Sequence, residues 1–437
     1  MNRLATSRRD PFDIAVVGAG VVGCSAALGL ARDGWRVALV EAQAPLPWRA
    51  DTPDLRVYAF APDNAALLED LEVWRDVVSA RVQPYRTMRV WDAAAGGALE
   101  FTAERLGRSE LGWIVEHGLL VDRLWNAVQR AGVVLHCPQR VIALAQDADC
   151  AMLTLEDHSL LRAKLVVAAD GPDSALRELA GLTATRHEYG QRAVVAYVET
   201  ELPHRETAWQ RFLPGGPLAF LPCTATAAIG NRDEVDARID GCAHRDGHVS
   251  SIVWTLPDDE AQRMLALDDA AFCNELTRAF DATLGKVVAV GKRIAFPLRR
   301  QLADDYVAGR VLLAGDAAHV VHPLAGQGVN LGLRDVLALR ELVGTPAHQS
   351  SGPRISGHDR RTAHERTARH LSITPQRLAR YARVRKSENA LAAYSFEGLN
   401  RLFSNDAPLP TLLRGRLLGL FGRITPLVDR LAKRASG

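Results

Sequence analysis

The stretch FDIAVVGAGVVGCSAALGLARDGWRVALVE, Phe12 to Glu41, limits the possible folds more than any other part of the chain. Its uncharged run from Ile14 to Ala31 is long enough to be mistaken for a membrane span. The glycines inside it argue for a different grammar. Phe12 to Val17 has the composition of a short buried strand, and a glycine turn follows. Gly23 to Asp33 has the pattern of a helix ended by Gly34, and Trp35 to Glu41 returns to strand. Strand, helix and strand at this spacing form a βαβ unit, the start of a parallel sheet.

GAGVVG, Gly18 to Gly23, matches G-x-G-x-x-G in the context the motif requires. Gly18 permits the tight turn, Gly20 lets backbone approach a pyrophosphate, and Gly23 lets the helix pack on the strand. The helix N-terminus offers free N–H groups and partial positive charge to phosphates. Glu41 ends the second strand, where an acid can accept hydrogen bonds from an adenosine ribose. These features point to a dinucleotide without separating FAD from NAD.

Two later segments repeat the strand-then-turn pattern. VVAADGPDSALR, Val166 to Arg177, is an apolar strand ending at Asp170-Gly171. A helix start capped by Asp173 or Ser174 explains this segment by itself. RVLLAGDAAHVVHPLAGQGVNLGLRD places Gly315 and Asp316 at the end of another buried strand, where α/β folds put ligand-binding groups. Gly326 and Gly328 permit close backbone approach, and a helix begins near Gly328. His319 and His322 lack the adjacent acid or cysteine partner of a zinc motif, so no metal site is expected.

Between Arg192 and Phe296 the pattern shifts to β-branched and aromatic segments such as RAVVAYVETEL and HVSSIVWTL. This reads as an antiparallel sheet inserted into the first domain. The segment from Ala347 to His370 is rich in Arg, His and Ser and reads as a basic linker, with helices after it. The chain has 437 residues, enough for more than one core, and a net charge of +2, which gives no bulk attraction to nucleic acid. Six scattered cysteines without a CxxC fit a reducing cytoplasm. The basic, polar N-terminus lacks the apolar core of a secretory signal.

Taken in order, the three motifs resemble the single-component FAD monooxygenases of the p-hydroxybenzoate hydroxylase type. GDAAHVVHPLAGQGVNLGLRDV is most similar to the ubiquinone-biosynthesis hydroxylases within that group. DLRVYAFAPDN, IVEHGLLVDRLW, YGQRAVVAYVETELPHRETAWQRFLPGGPLAFLP, SIVWTLP and GLNRLFS agree with that subgroup. The resemblance runs from about Phe12 to Arg340 and again from about Leu378 to Phe421.

The resemblance implies an α/β plus β architecture. A Rossmann-like FAD-binding domain of the GR2 type would comprise residues 10–80, 105–185 and 290–345. A mixed or antiparallel substrate-binding sheet would comprise 81–104 and 186–289, and a basic linker with C-terminal helices 346–437. It implies that Gly18, Gly20, Gly23 and Glu41 hold the ADP half of FAD and that Arg56 faces the flavin side. Asp170 and Gly171 match a motif associated with FAD and NADPH use. Gly315 and Asp316 match the ribityl-contacting turn, with Pro323, Gly326, Gln327 and Gly328 against the flavin ring and Asn330 following. His117 stands where the family pattern has an amide side chain.

The implied reaction uses NADPH or NADH to reduce FAD. O2 then adds at the flavin C4a, and the hydroperoxide hydroxylates the ring of a polyprenylated phenol or benzoquinol. No protein nucleophile is required. His319, His322 and Tyr189 are the candidates for a base that would deprotonate a phenol. Leu409 to Arg434 alternates apolar residues with arginines at helical spacing. It reads either as an interfacial helix near anionic lipid or a partner, or as a helix packed on the domain. The expected location is a bacterial cytoplasm, peripheral to the inner membrane, beside other ubiquinone-biosynthesis proteins. Hydroxylation of a soluble aromatic compound, or an FAD-binding assembly role with little activity, are the alternatives.

Overall fold

The computed structural model of the chain describes residues 10–93, 95–224, 247–321, 327–345, 371 and 373–403. It begins with β1 (Phe12–Val17), α1 (Val21–Arg32), β2 (Val37–Val40), β3 (Val57–Phe60), α2 (Pro62–Asp70), α3 (Trp74–Ala80) and β4 (Gln83–Tyr85). Next come β5 (Thr87–Asp92), β6 (Ala95–Thr102), β7 (Gly112–Glu116), α4 (His117–Arg130), β8 (Val134–His136), β9 (Val141–Gln146), β10 (Ala151–Leu155), β11 (Leu160–Ala168) and α5 (Ala175–Leu179). The chain continues through β12 (Ala184–Thr200), β13 (Thr207–Leu213), β14 (Gly216–Pro222), β15 (Val249–Pro257), α6 (Asp258–Ala266), α7 (Asp269–Ala279) and β16 (Val287–Val290). It closes with β17 (Ile294–Ala303), β18 (Val307–Ala308), β19 (Val311–Leu313), β20 (His319–Val320), α8 (Gln327–Val343) and α9 (Pro375–Phe403).

The first sheet has a parallel ladder in the order β19-β11-β1-β2-β8. β1 lies in the middle, with Ile14, Ala15 and Val16 wholly buried. A strand covered on both faces needs no polar alternation, which explains the continuous apolar run. α1 packs on this sheet beside α4 and α8. The apparent membrane span is therefore divided between β1 and a helix of 12 residues. No described helix is long and apolar enough to cross a membrane.

The second sheet has nine strands in the order β20-β17-β12-β15-β14-β13-β5-β6, with β16 also on β12. Its strands alternate between two environments. Val194, Ala196, Phe220, Ile252 and Trp254 face α6 and α7. Tyr197, Ala208, Leu221 and Val249 face the small antiparallel sheet β3-β7-β4. That small sheet joins the two larger bodies. Ala59 and Ile114 pack toward the large sheet, whereas Phe60 and Val115 belong to the first core.

The division drawn from sequence assigns 290–345 to the nucleotide-binding part, but β17 and β20 belong to the large sheet. β17 pairs with β12 from Ala184↔Ala303 to Val195↔Ile294, a ladder long enough to override its place in the chain. β4 and β7 likewise build the small sheet rather than either larger one. The linker at 346–370 and the amphipathic stretch Leu409 to Arg434 lie outside the described residues.

Candidate functional site

After β1 the backbone turns at Gly18 with φ of +102°. A Cβ at Gly18 would lie 2.3 Å from the Ala169 carbonyl oxygen, and one at Gly23 1.9 Å from the Gly18 carbonyl oxygen. No side chain fits at either position. Gly20 caps α1 without any side-chain hydrogen bond, and its Cβ position has no neighbour within 4 Å. The start of α1 therefore carries no side-chain cap and has open space beside Gly20, features of an anion seat. The Glu41 carboxylate lies at the edge of this seat. It accepts from Ala19 N–H at 2.5 Å and from Gln43 N–H at 3.0 Å. An uncapped helix start beside an acid fits the pyrophosphate and ribose of a dinucleotide.

The Asp170-Gly171 turn abuts this loop, since Asp170 Cα lies 2.8 Å from the Cβ position of Gly18. Asp170 accepts from the Ser174 hydroxyl at 2.5 Å and from Leu176 N–H at 3.1 Å. Burial pushes its carboxyl above the usual range. Ser174 in turn caps α5 by accepting from Arg177 N–H at 2.9 Å. Asp173 is not the cap; it pairs with Arg186 at 2.7 Å and Arg299 at 3.2 Å. The local capping chemistry is thus present. A longer connection is present too, because the buried Arg177 guanidinium donates to the Pro172 carbonyl at 3.1 Å and the Ala317 carbonyl at 2.9 Å.

Ala317 belongs to the third motif. Here the chain turns at Gly315 with φ of +61°, and Val22 of α1 lies 3.0 Å from its Cβ position. A Cβ at Gly332 of α8 would lie 2.6 Å from the same valine. The three sequence motifs therefore meet around the first turn of α1. Asp316 is exposed, yet dense protein around its site raises its carboxyl above the usual range. The His319 ring and the Arg299 and Arg56 guanidinium groups oppose that rise. Arg56 is exposed just before β3, and its charge also acts on Tyr58 and His117.

Gln327 begins α8, and Gly328 has open space at its Cβ position. The start of α8 brings partial positive charge to this region. Pro323, Gly326 and His322 lie outside the described residues, as does the side chain of Gln327.

Three candidate residues are placed as follows. The Asn330 side chain points into the core. It is wholly buried, donates to the Ala59 carbonyl at 2.8 Å and accepts from Ala61 N–H at 3.0 Å and the Asn64 amide at 2.8 Å. It ties α8 to β3 and α2. His319 cannot serve as a substrate base, because it is 1% exposed and its Nε2 lies 2.7 Å from Asp335. Tyr189 sits on β12 with its ring edge-on to His187, 5.1 Å away.

His117 opens α4, with Nδ1 2.9 Å from the Tyr58 hydroxyl. Burial first, and the nearby Arg56 charge second, push its pKa down to about 4. A neutral imidazole offers one donor and one acceptor, as an amide does. At neutral pH the His117 ring can therefore make the pair of hydrogen bonds that an amide side chain would.

Sequence reading missed two supports of the site. Glu116 is 4% exposed and accepts from Trp48 Nε1 at 3.0 Å and Asp54 N–H at 2.9 Å, holding the loop that carries Arg56. It also pairs with Arg81 at 3.2 Å beside a small pocket lined in part by Val57, Ile114 and Tyr197. The second support is the buried pair Asp335 and Arg385 beneath Gly315. The signal for it was a charged residue on an apolar helical stripe, Asp335 between Leu331 and Leu339.

A family model described as an FAD binding domain matches residues 11–354. The chain is 36% identical over 335 residues to the 3-demethoxyubiquinol 3-hydroxylase of Escherichia coli, covering 76% of this chain and 80% of that protein. It is 35% identical over 426 residues to the ubiquinone hydroxylase UbiL of Rhodospirillum rubrum, covering 97% and 89%. The p-nitrophenol 4-monooxygenase PnpA of Pseudomonas putida DLL-E4 shares the fold with a TM-score of 0.67 at 17% identity, covering 98% of both chains. HpxO of Klebsiella pneumoniae, solved with FAD and uric acid, gives a TM-score of 0.67 at 19% identity over 96% of both. With most of its length matched in this way, the chain belongs to the FAD-binding-domain family, alongside flavin-dependent hydroxylases and monooxygenases of ubiquinone biosynthesis.

Proposed function

We propose that this protein hydroxylates the aromatic ring of a polyprenylated phenol or benzoquinol in ubiquinone biosynthesis, consuming NADPH or NADH and O2. The meeting of three motifs around one open helix start, with Arg56 near enough for its charge to act on Asp316, carries this reading. The names of the relatives supply the substrate class. Bound FAD supplies the redox chemistry that activates oxygen. The chain's own residues bind and orient. The α1 amides and Glu41 would hold the pyrophosphate and ribose of FAD, and Asp316 would hold its ribityl chain. Arg56 and the N-terminus of α8 would supply positive charge for an anionic group bound there. His117 stays neutral at physiological pH and fixes the Tyr58 hydroxyl. The enzyme works in the cytoplasm, peripheral to the inner membrane where a polyprenylated substrate resides.

Lipid extracts of cells with and without the gene test this reading. Deletion should abolish ubiquinone and accumulate one under-hydroxylated prenyl phenol, restored by the wild-type gene and not by Asp316→Ala. Unchanged ubiquinone in a strain lacking any second hydroxylase would overturn it.

A further inference from the structure

Beneath the Gly315 turn lies an ionic cluster assembled from elements far apart in the chain. The Asp335 side chain is wholly buried. Its Oδ2 accepts from Gly315 N–H at 2.8 Å and His319 Nε2 at 2.7 Å. Its Oδ1 accepts from Arg385 Nε at 2.6 Å and Asn389 Nδ2 at 3.3 Å. Arg385 and Asn389 belong to α9 and are 3% and 0% exposed. Arg385 also donates to Asn389 Oδ1 at 2.9 Å and the Leu331 carbonyl at 3.4 Å. One turn earlier on the same stripe, the Tyr381 hydroxyl donates to the Leu313 carbonyl at 3.2 Å, at the end of β19. One oxygen of Asp335 thus serves the motif turn, and the other serves α9.

We propose that α9 is a positioning element of the FAD site: Arg385 acts through Asp335 to fix the Gly315 turn, and so the place where Asp316 meets the cofactor. The proposal rests on Asp316 being the FAD-facing residue. A buried carboxylate requires a partner, and Arg385 supplies a permanent cation through its Nε contact to Oδ1, with its other guanidinium nitrogens held by Glu388, Asn389 and Leu331. Without it, Asp335 either takes up a proton or shifts toward its remaining donors, Gly315 N–H, His319 and Asn389. Both outcomes reduce the fraction of molecules whose turn is ready for ligand, and apparent affinity falls by that fraction.

The test uses the full chain, stripped of FAD and titrated with FAD by fluorescence quenching. The absorption spectrum of the bound flavin and the melting temperature of the apoprotein are recorded in parallel. Arg385→Met should weaken FAD binding by about tenfold or more and shift the bound-flavin spectrum, with Arg385→Lys recovering part of the affinity. Arg340→Met is the control. Arg340 bridges Asp33 at 2.7 Å and Asp70 at 2.6 Å at the other end of α8, so its loss should lower the melting temperature and leave FAD affinity unchanged. An Arg385→Met protein that melts early but binds FAD with wild-type affinity and spectrum would overturn the proposal. Should Arg385→Met fail to fold, wild-type affinity in both Arg385→Lys and Asp335→Asn would overturn it instead. Asp316→Ala in the same titration separates the two assignments. Unchanged affinity there removes the reading of Asp316, whereas loss there with none in Arg385→Met removes only the role of α9.

Discussion

The two ends of the proposed cofactor site are built by different means. At the glycine-loop end, backbone contact fixes the shape: Gly18 lies against Ala169 and Gly23 against Gly18 so closely that no side chain fits, and Glu41 reaches back to Ala19. At the Gly315 end, one local bond, Ala318 N–H to the Gly315 carbonyl at 2.8 Å, is joined by side chains from distant elements. Asp335 bonds the turn from α8, with Arg385 of α9 behind it, and Arg177 bonds it from α5. The first end is a steric fit between backbones, and the second a set of polar side-chain contacts.

Gly23→Ala breaks the first end and should have the largest effect. Its Cβ would meet a backbone oxygen that cannot move aside, so the cost exceeds the ~1–3 kcal/mol of ordinary overpacking. Recovery of folded protein and its flavin absorbance should both collapse; normal yield with bound FAD would contradict the steric account. Asn330→Leu breaks the second end remotely. It strands Ala61 N–H and the Ala59 carbonyl, each costing about 1–3 kcal/mol when left buried and unpaired. Chemical denaturation should show a loss of about 3 kcal/mol, with residual FAD binding. A midpoint equal to wild type would mean that this clamp is dispensable.

The smallest expected effect concerns His117. Its folded pKa lies at about 4, below the ordinary value of about 6.5. Folding therefore favours the neutral ring. The resulting stability is present above the unfolded value and declines as pH falls from about 6.5 toward 4. His117→Gln should remove this decline, flattening the difference in melting temperature between pH 7 and pH 5 by the equivalent of up to about 2 kcal/mol. An identical pH dependence in both proteins would show that His117 does not titrate in that window.

This contrast also explains what could be read in advance. The glycine loop, the strand ends and the order of motifs were legible because their physics is local. A buried parallel strand is apolar throughout, and a close approach demands glycine. The expectation for Asn330 came from the resemblance alone, and the bond of its side chain to β3 leaves no local trace in the sequence. His319 was misread from its setting. A histidine in a ligand-binding motif suggested chemistry, but Asp335 lies 16 positions later and supplies a buried partner. The pairing of Asp335 with Arg385 spans 50 positions, and no local pattern links the two. Each leaves only a charge on an apolar stripe. The reassignment of β17 has a similar origin, since strand pairing is decided by the partner available in space.

The most direct measurement is the FAD content of the purified full chain, wild type against Asp316→Ala, with far-ultraviolet circular dichroism on the same samples. Wild-type protein should retain FAD through purification, and Asp316→Ala should lose most of it with an unchanged dichroism spectrum. Full retention of FAD by Asp316→Ala, with normal NADPH turnover, would contradict the assignment of the cleft between the glycine loop and Asp316 as the cofactor site.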